Sequence, residues 1–247
     1  MKIVIIGGTG LIGSKSVARL GALGHLVVPA APSTGVNTLT GEGLDEVLHD
    51  ADIVVDVSNS PSFADDAVMK FFSTSTGNLL AAAEKAKVDH YLALTVVGTD
   101  RLPESGYFRA KVAQEKLIAD SGVPFSLVHA TQFFEFAGGI ADTSTTDGEV
   151  RLPGAGVQPM AADDVAAAVC RHAADAPLNG AIEVAGPEAF GLDEWIRTVL
   201  TARSDPRQVV TDPQARYFGA VLAPDSLLPG PGALIAETRL EQWLTRN

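Results

Sequence analysis

The sequence predicts an α/β chain built on a doubly wound parallel sheet. Three observations carry this: a glycine-rich turn set between an apolar run and a helix-compatible stretch, β-branched apolar runs that alternate with helical stretches, and 247 residues without a linker or low-complexity tract. Lys2-Ile3-Val4-Ile5-Ile6 has the continuous apolar character of a strand buried on both faces. Gly7-Gly8-Thr9-Gly10-Leu11-Ile12-Gly13 follows at once, and a helix is expected from Leu11 to about Leu23. A second strand is expected at Leu26-Val27-Val28, which completes a βαβ unit. In such a unit the glycines let the chain turn sharply and let a pyrophosphate approach the backbone. The first helical turn then presents unpaired N–H groups to an anion. Gly7, Thr9, Gly10, Leu11, Ile12 and Gly13 are therefore the first cofactor-binding candidates.

The alternation continues. Strands are expected at Ile53 to Val57, Tyr91 to Thr95, Phe125 to Val128 and Ala181 to Ala185, with helices from about Asp65 to Lys87, Tyr107 to Asp120, Val165 to Ala173 and Leu192 to Ala202. Gly122 and Pro124 mark the end of the helix from Tyr107 to Asp120. The section from Asp205 to Gly232 is rich in Pro and Gly and reads either as a lid or as a surface loop.

Eighteen Lys plus Arg face 30 Asp plus Glu, a formal charge of −12 without a basic cluster. Nucleic acid and anionic membranes are poor partners for such a chain. The single Cys170 excludes an internal disulfide and reads as a buried thiol. The five histidines lack the spacing of a zinc site, so no metal is expected. With no signal-like N-terminus and no long uncharged apolar stretch, a cytoplasmic location is expected.

In open parallel sheets, ligands sit beyond the carboxyl ends of the strands. This selects Ser33 and Thr34, Ser58 and Asn59, Thr95 to Gly98, and Ala130, Thr131, Gln132 and Phe133, each of which could equally be ordinary loop chemistry. Tyr107 and Lys111 are four apart on one expected helix and so share a face. A hydride transfer to a carbonyl needs a proton donor beside the oxygen. Tyr107 can serve if the Lys111 ammonium lowers its pKa, while Thr95 holds the oxygen and Lys111 also reaches a ribose. Phe133, Phe134 and Phe136 are candidates for an apolar substrate wall or for the core, and Tyr217 is placed with them as part of a lid.

The glycine turn, Leu94-Thr95-Val96-Val97-Gly98, Tyr107-x-x-x-Lys111 and Ala130-Thr131-Gln132-Phe133-Phe134-Glu135-Phe136 together resemble the NmrA-like atypical short-chain dehydrogenase/reductases. Gln158-Pro159-Met160 with Asp163-Asp164-Val165, and Val184-Ala185-Gly186-Pro187-Glu188, resemble that family's C-terminal half. The resemblance spans the chain and implies a single Rossmann-like, NAD(P)-binding domain over residues 1–247. A small substrate lobe would come from about 134–157 and 187–247. It also implies an NAD(P)H-dependent reductase of a carbonyl or quinone; the three phenylalanines and the acidic surface fit an aromatic small molecule that is not highly charged, a quinone or an aromatic polyketide. The family includes redox-sensing regulators that act through a protein partner, and sugar-nucleotide epimerases and dehydratases stand as the further alternative. The chain departs from the family pattern in having Thr95 for serine and His129 for arginine. The second strand runs into Pro29-Ala30-Ala31-Pro32-Ser33-Thr34, with neither an acid for the adenosine ribose nor an arginine for a 2′-phosphate. Ser33 and Thr34 could donate to that phosphate, which favours NADP over NAD.

Overall fold

The computed structural model describes residues 1–246. Seven parallel strands form the central sheet. The first five in chain order are β1 (Lys2–Ile6), β2 (Leu26–Ala30), β3 (Ile53–Asp56), β4 (His90–Val96) and β5 (Phe125–Ala130). Their spatial order is β2-β1-β3-β4-β5, extended beyond β5 by Gly180–Ala185 and then by Leu234–Ile235. The strand order reverses between β1 and β3, so a crevice opens beyond their carboxyl ends.

Four helices fill the early crossovers: α1 (Leu11–Ala22), α2 (Leu44–Leu48), α3 (Asp65–Ala86) and α4 (Gly106–Asp120). α1 packs beside Ala162–Ala174 on one face of the sheet, whereas α2, α3 and α4 pack together on the other. Alternate residues of β1 divide between the two cores: Ile3 and Ile5 join the α1 side, Val4 and Ile6 the α3 side. This is why the strand is apolar at every position after Lys2. A third core gathers Phe134, Ile140, Val150, Trp195, Val199 and Trp243 from the C-terminal half.

The strand–helix alternation therefore holds, with boundaries displaced by a residue or two. Several short elements had no counterpart in the sequence reading. They include α2, the helices Ala137–Thr143 and Leu240–Leu244, the strand Glu149–Leu152 paired with Gln208–Thr211, and the edge strand Leu234–Ile235. The Pro/Gly-rich section also contains a hairpin, Arg216–Tyr217 against Ala220–Val221, turned by Phe218 and Gly219 with positive φ of 46° and 86°. No described helix is long and apolar enough to cross a membrane. Cys170 is buried, as expected from its sequence context.

Candidate active site

The glycine turn is fixed by direct backbone approach. Gly7 has φ +78°, and its N–H donates to the Ala30 carbonyl at 2.9 Å. An added Cβ at Gly7 would meet the Ser58 backbone at 3.0 Å, and one at Gly13 would stand 2.1 Å from the Gly7 carbonyl oxygen. Gly13 therefore lets α1 seat against the turn instead of facing a ligand. The helix begins after Gly10, so the amides of its first turn have no intrahelical acceptor and point into the crevice.

That crevice is a cavity of about 640 Å³. Gly7, Thr9, Gly10, Leu11 and Ile12 line one end, and Ser58 and Asn59 flank it after β3. Thr95, Tyr107, Lys111, Ala130, Thr131, Gln132 and Phe133 line it as well, together with the exposed Phe136 and the buried Tyr217. Lys111 is the one charged residue among those lining it. Gln132 is buried there, its side-chain amide against the Tyr217 phenol. The Thr131 hydroxyl donates to the Gln158 carbonyl at 2.6 Å and anchors this loop.

Three expectations need correction. Phe134 is fully buried and packs on Trp243 at 5.4 Å, because the short 3₁₀ turn Phe134–Phe136 points its first ring into the C-terminal core. Thr34 lies in a 3₁₀ turn and outside the cavity lining; its hydroxyl accepts from the Ala31 N–H and bonds back to the Ala31 carbonyl. Ser33 is exposed and likewise outside the lining, while Ala31, Pro32 and Val36 to Leu39 occupy that end.

The third correction concerns Tyr107 and Lys111. The phenol lines the cavity within an aromatic group, 5.6 Å from Phe63, 5.7 Å from Phe218 and 5.6 Å from Phe108. Burial pushes its pKa up to about 12, opposite to the expected lowering. The Lys111 ammonium donates to the Leu94 carbonyl at 3.1 Å and to Gln114 Oε1 at 2.6 Å, over the Phe72 ring at 4.4 Å. Burial lowers it to about 8, against the pull of Asp56 and Glu115. Asp56, at the buried end of β3, accepts from Ser58, from Tyr91 at 3.1 Å and from Gln114 at 3.3 Å. Lys111, Gln114, Asp56 and Tyr91 thus form one buried polar network beneath the cavity floor.

The Thr95 hydroxyl donates to Glu115 Oε1 and its oxygen accepts the Val96 N–H at 2.6 Å. Sequence reasoning missed Glu115, although its position continues the four-residue spacing of Tyr107 and Lys111 along α4. Phe63 and Phe71 also line the cavity, and no local pattern marks them; Phe218, adjacent to Tyr217 in the expected lid, lines it too.

A doubly wound sheet, a glycine turn at its crossover and a cavity beyond the carboxyl ends of β1 and β3 define a Rossmann-like fold. Known proteins agree on that fold. MoeE5 in complex with UDP-glucose and NAD superposes with a TM-score of 0.76 at 18% identity, over 99% of this chain and 96% of that one. The dTDP-4-dehydrorhamnose reductase of Bacillus anthracis in complex with NADP gives 0.71 at 13%, over 99% and 96%. The UDP-N-acetylglucosamine 4-epimerase of Bacillus cereus gives 0.65 at 17%, over 90% and 96%. Among curated proteins, the photosystem II assembly factor Ycf39 of Synechocystis is 22% identical over 149 residues, which is 55% of this chain and 46% of the relative. The chain thus aligns with about half the length of that relative. No protein-family model matches the sequence.

Proposed function

We propose that this chain is an NAD(P)H-dependent reductase of a quinone or an aromatic carbonyl, of the NmrA-like short-chain dehydrogenase/reductase type. The observation that carries the reading is the single cavity that joins the glycine turn to Thr95 and Tyr107 with an aromatic lining of Phe63, Phe136, Tyr217 and Phe218. The residues present suit a dinucleotide: the first-turn amides of α1 and the Gly7 approach suit its pyrophosphate, and the Gln132 amide on the cavity lining suits a carboxamide. Bound NAD(P)H supplies a hydride. Thr95 and Tyr107 flank the position of the reacting oxygen, and a phenol raised to about 12 keeps its proton and acts as a hydrogen-bond donor. Lys111 holds the floor through Leu94 and Gln114.

The aromatic lining favours a planar, weakly charged substrate. The neighbours' nucleotide-sugar ligands carry a diphosphate, for which this cavity offers only the already partnered Lys111; that weighs against an epimerase. The end beside Ala31 carries neither acid nor cation. Only the exposed Ser33 remains to favour NADP, so discrimination between the two dinucleotides is weak on this reading. The test is anaerobic oxidation of NADPH and NADH against a panel of quinones and aromatic ketones. Turnover is the expected result. Tight dinucleotide binding without oxidation across the panel would overturn the reductase reading in favour of a sensor that acts through a protein partner.

A further inference from the structure

Thr95, His129 and Glu183 are register neighbours on β4, β5 and the strand Gly180–Ala185. Neighbours in register share a face, so the three side chains form a polar row across the sheet. Glu115 of α4 descends onto that row. Its Oε1 receives the Thr95 hydroxyl and lies 3.3 Å from His129 Nε2, and its Oε2 lies 3.4 Å from the Thr99 hydroxyl. Glu183 continues the row to Arg101 at 3.6 Å.

The two ends of the row open on different spaces. Thr95 borders the large cavity, whereas Glu115, His129, Glu183 and Arg101 border a second one of about 360 Å³. The Glu115 and His129 side chains are 17% and 15% exposed, and the Arg101 side chain at the outer end is 37% exposed. A carboxylate so placed costs stability that an apolar residue would not, so its presence between two cavities calls for a role beyond packing. Tyr107 keeps its proton and is packed among the rings of Phe63, Phe72 and Phe108.

We propose that Thr95, Glu115 and His129 form a proton relay from the second cavity to the substrate oxygen. The proposal rests on the reductase reading. Hydride addition at the carbonyl carbon leaves the C=O π pair on oxygen, and the Thr95 proton bonds to that oxygen. Glu115, a carboxylate before the reaction, takes the Nε2 proton of His129 on Oε1 and passes a proton to Oγ1 as the Thr95 proton leaves, and water of the second cavity returns a proton to the His129 ring. The Val96 N–H holds Oγ1 in place while the hydroxyl proton turns from Glu115 to the substrate. Glu115 is lowered overall: burial alone would raise it, but the contacts with His129, Thr95 and Lys111 prevail. The charged groups that face the relay are Lys111, one turn earlier on α4, and Arg101, Glu183 and Asp100 around the second cavity.

The test compares the full-length parent with Glu115→Gln and His129→Asn. In cofactor-free protein, carboxyl-carbon NMR is expected to show the Glu115 midpoint rising in His129→Asn; an unmoved midpoint overturns the relay. In anaerobic turnover of an aromatic ketone, Glu115→Gln is expected to lower kcat about a hundredfold. Its dinucleotide affinity should be unchanged, its pH profile flattened and its solvent deuterium isotope effect enlarged. Variants with the parent's pH profile and isotope effect, in an active parent, overturn the relay alone. A parent that oxidises neither dinucleotide overturns the reductase reading and the relay together.

Discussion

Tyr107 and Lys111 stand one turn apart on α4, yet the ammonium bonds the Leu94 carbonyl and Gln114 while burial alone moves the phenol. On the proposed reading, a tyrosine so placed would donate a hydrogen bond to an oxyanion more than it would supply protons. Tyr107→Phe is therefore expected to lower kcat for aromatic ketones about tenfold, roughly the worth of one hydrogen bond. Thr95→Val should cost about a hundredfold, because it removes both the oxygen contact and the route to Glu115. Steady-state kinetics of the two variants, with matched dinucleotide affinity, decide the order.

The Lys111 network sets a pH dependence of stability whose sign is unusual for a lysine. Its pKa falls from 10.5 to about 8 on folding. Between those values the unfolded chain holds a proton that the folded chain has released, so stability rises with pH across that window. The rise is on the order of 3 kcal/mol. Denaturant unfolding at pH 7.5 and 10 should show the parent gaining on Lys111→Met. Above pH 10 the raised phenols of Tyr91, Tyr107 and Tyr217 act oppositely, since the unfolded chain ionises first, but they do so in both proteins.

Phe134 and Phe136, two residues apart, separate stability from recognition. Phe134 is 0% exposed in the C-terminal core, so Phe134→Ala should destabilise by about 3–5 kcal/mol. Phe136 is 46% exposed on the cavity lining and stacks on Phe133 at 5.1 Å. Phe136→Ala should leave stability within about 0.5 kcal/mol and raise KM for aromatic substrates several-fold. Thermal unfolding alongside KM measurement checks both.

At the glycine turn, a methyl on Gly13 would stand 2.1 Å from the Gly7 oxygen and force α1 off its seat. Gly13→Ala is expected to weaken NADPH and NADH binding more than tenfold, read by titration calorimetry. Ala31→Asp places a carboxylate at the adenosine end of the cavity. It should reduce NADPH affinity relative to NADH by at least about tenfold, through repulsion of the 2′-phosphate.

The apolar runs of β1 to β5 and the glycine turn were legible because their causes are local. A strand buried on both faces must be apolar throughout, and a chain reversal at a close backbone contact needs glycine. By themselves those residues determined the doubly wound sheet, the turn at Gly7 to Gly13 and the shared helical face of Tyr107 and Lys111. The tertiary structure decided what each side chain does there. Phe134 and Phe136 look alike in sequence, but one 3₁₀ turn sends the first to Trp243 and leaves the second on the cavity lining. Lys111 shares a helix face with Tyr107, but a carbonyl on β4 and the Gln114 amide oxygen set its bonds, and burial lowers its pKa. Glu115 became a site residue only when Thr95 and His129 met in register on neighbouring strands, a pairing set by the sheet and not by spacing along the chain. Polar contacts between distant segments depend on packing geometry, which no local pattern encodes.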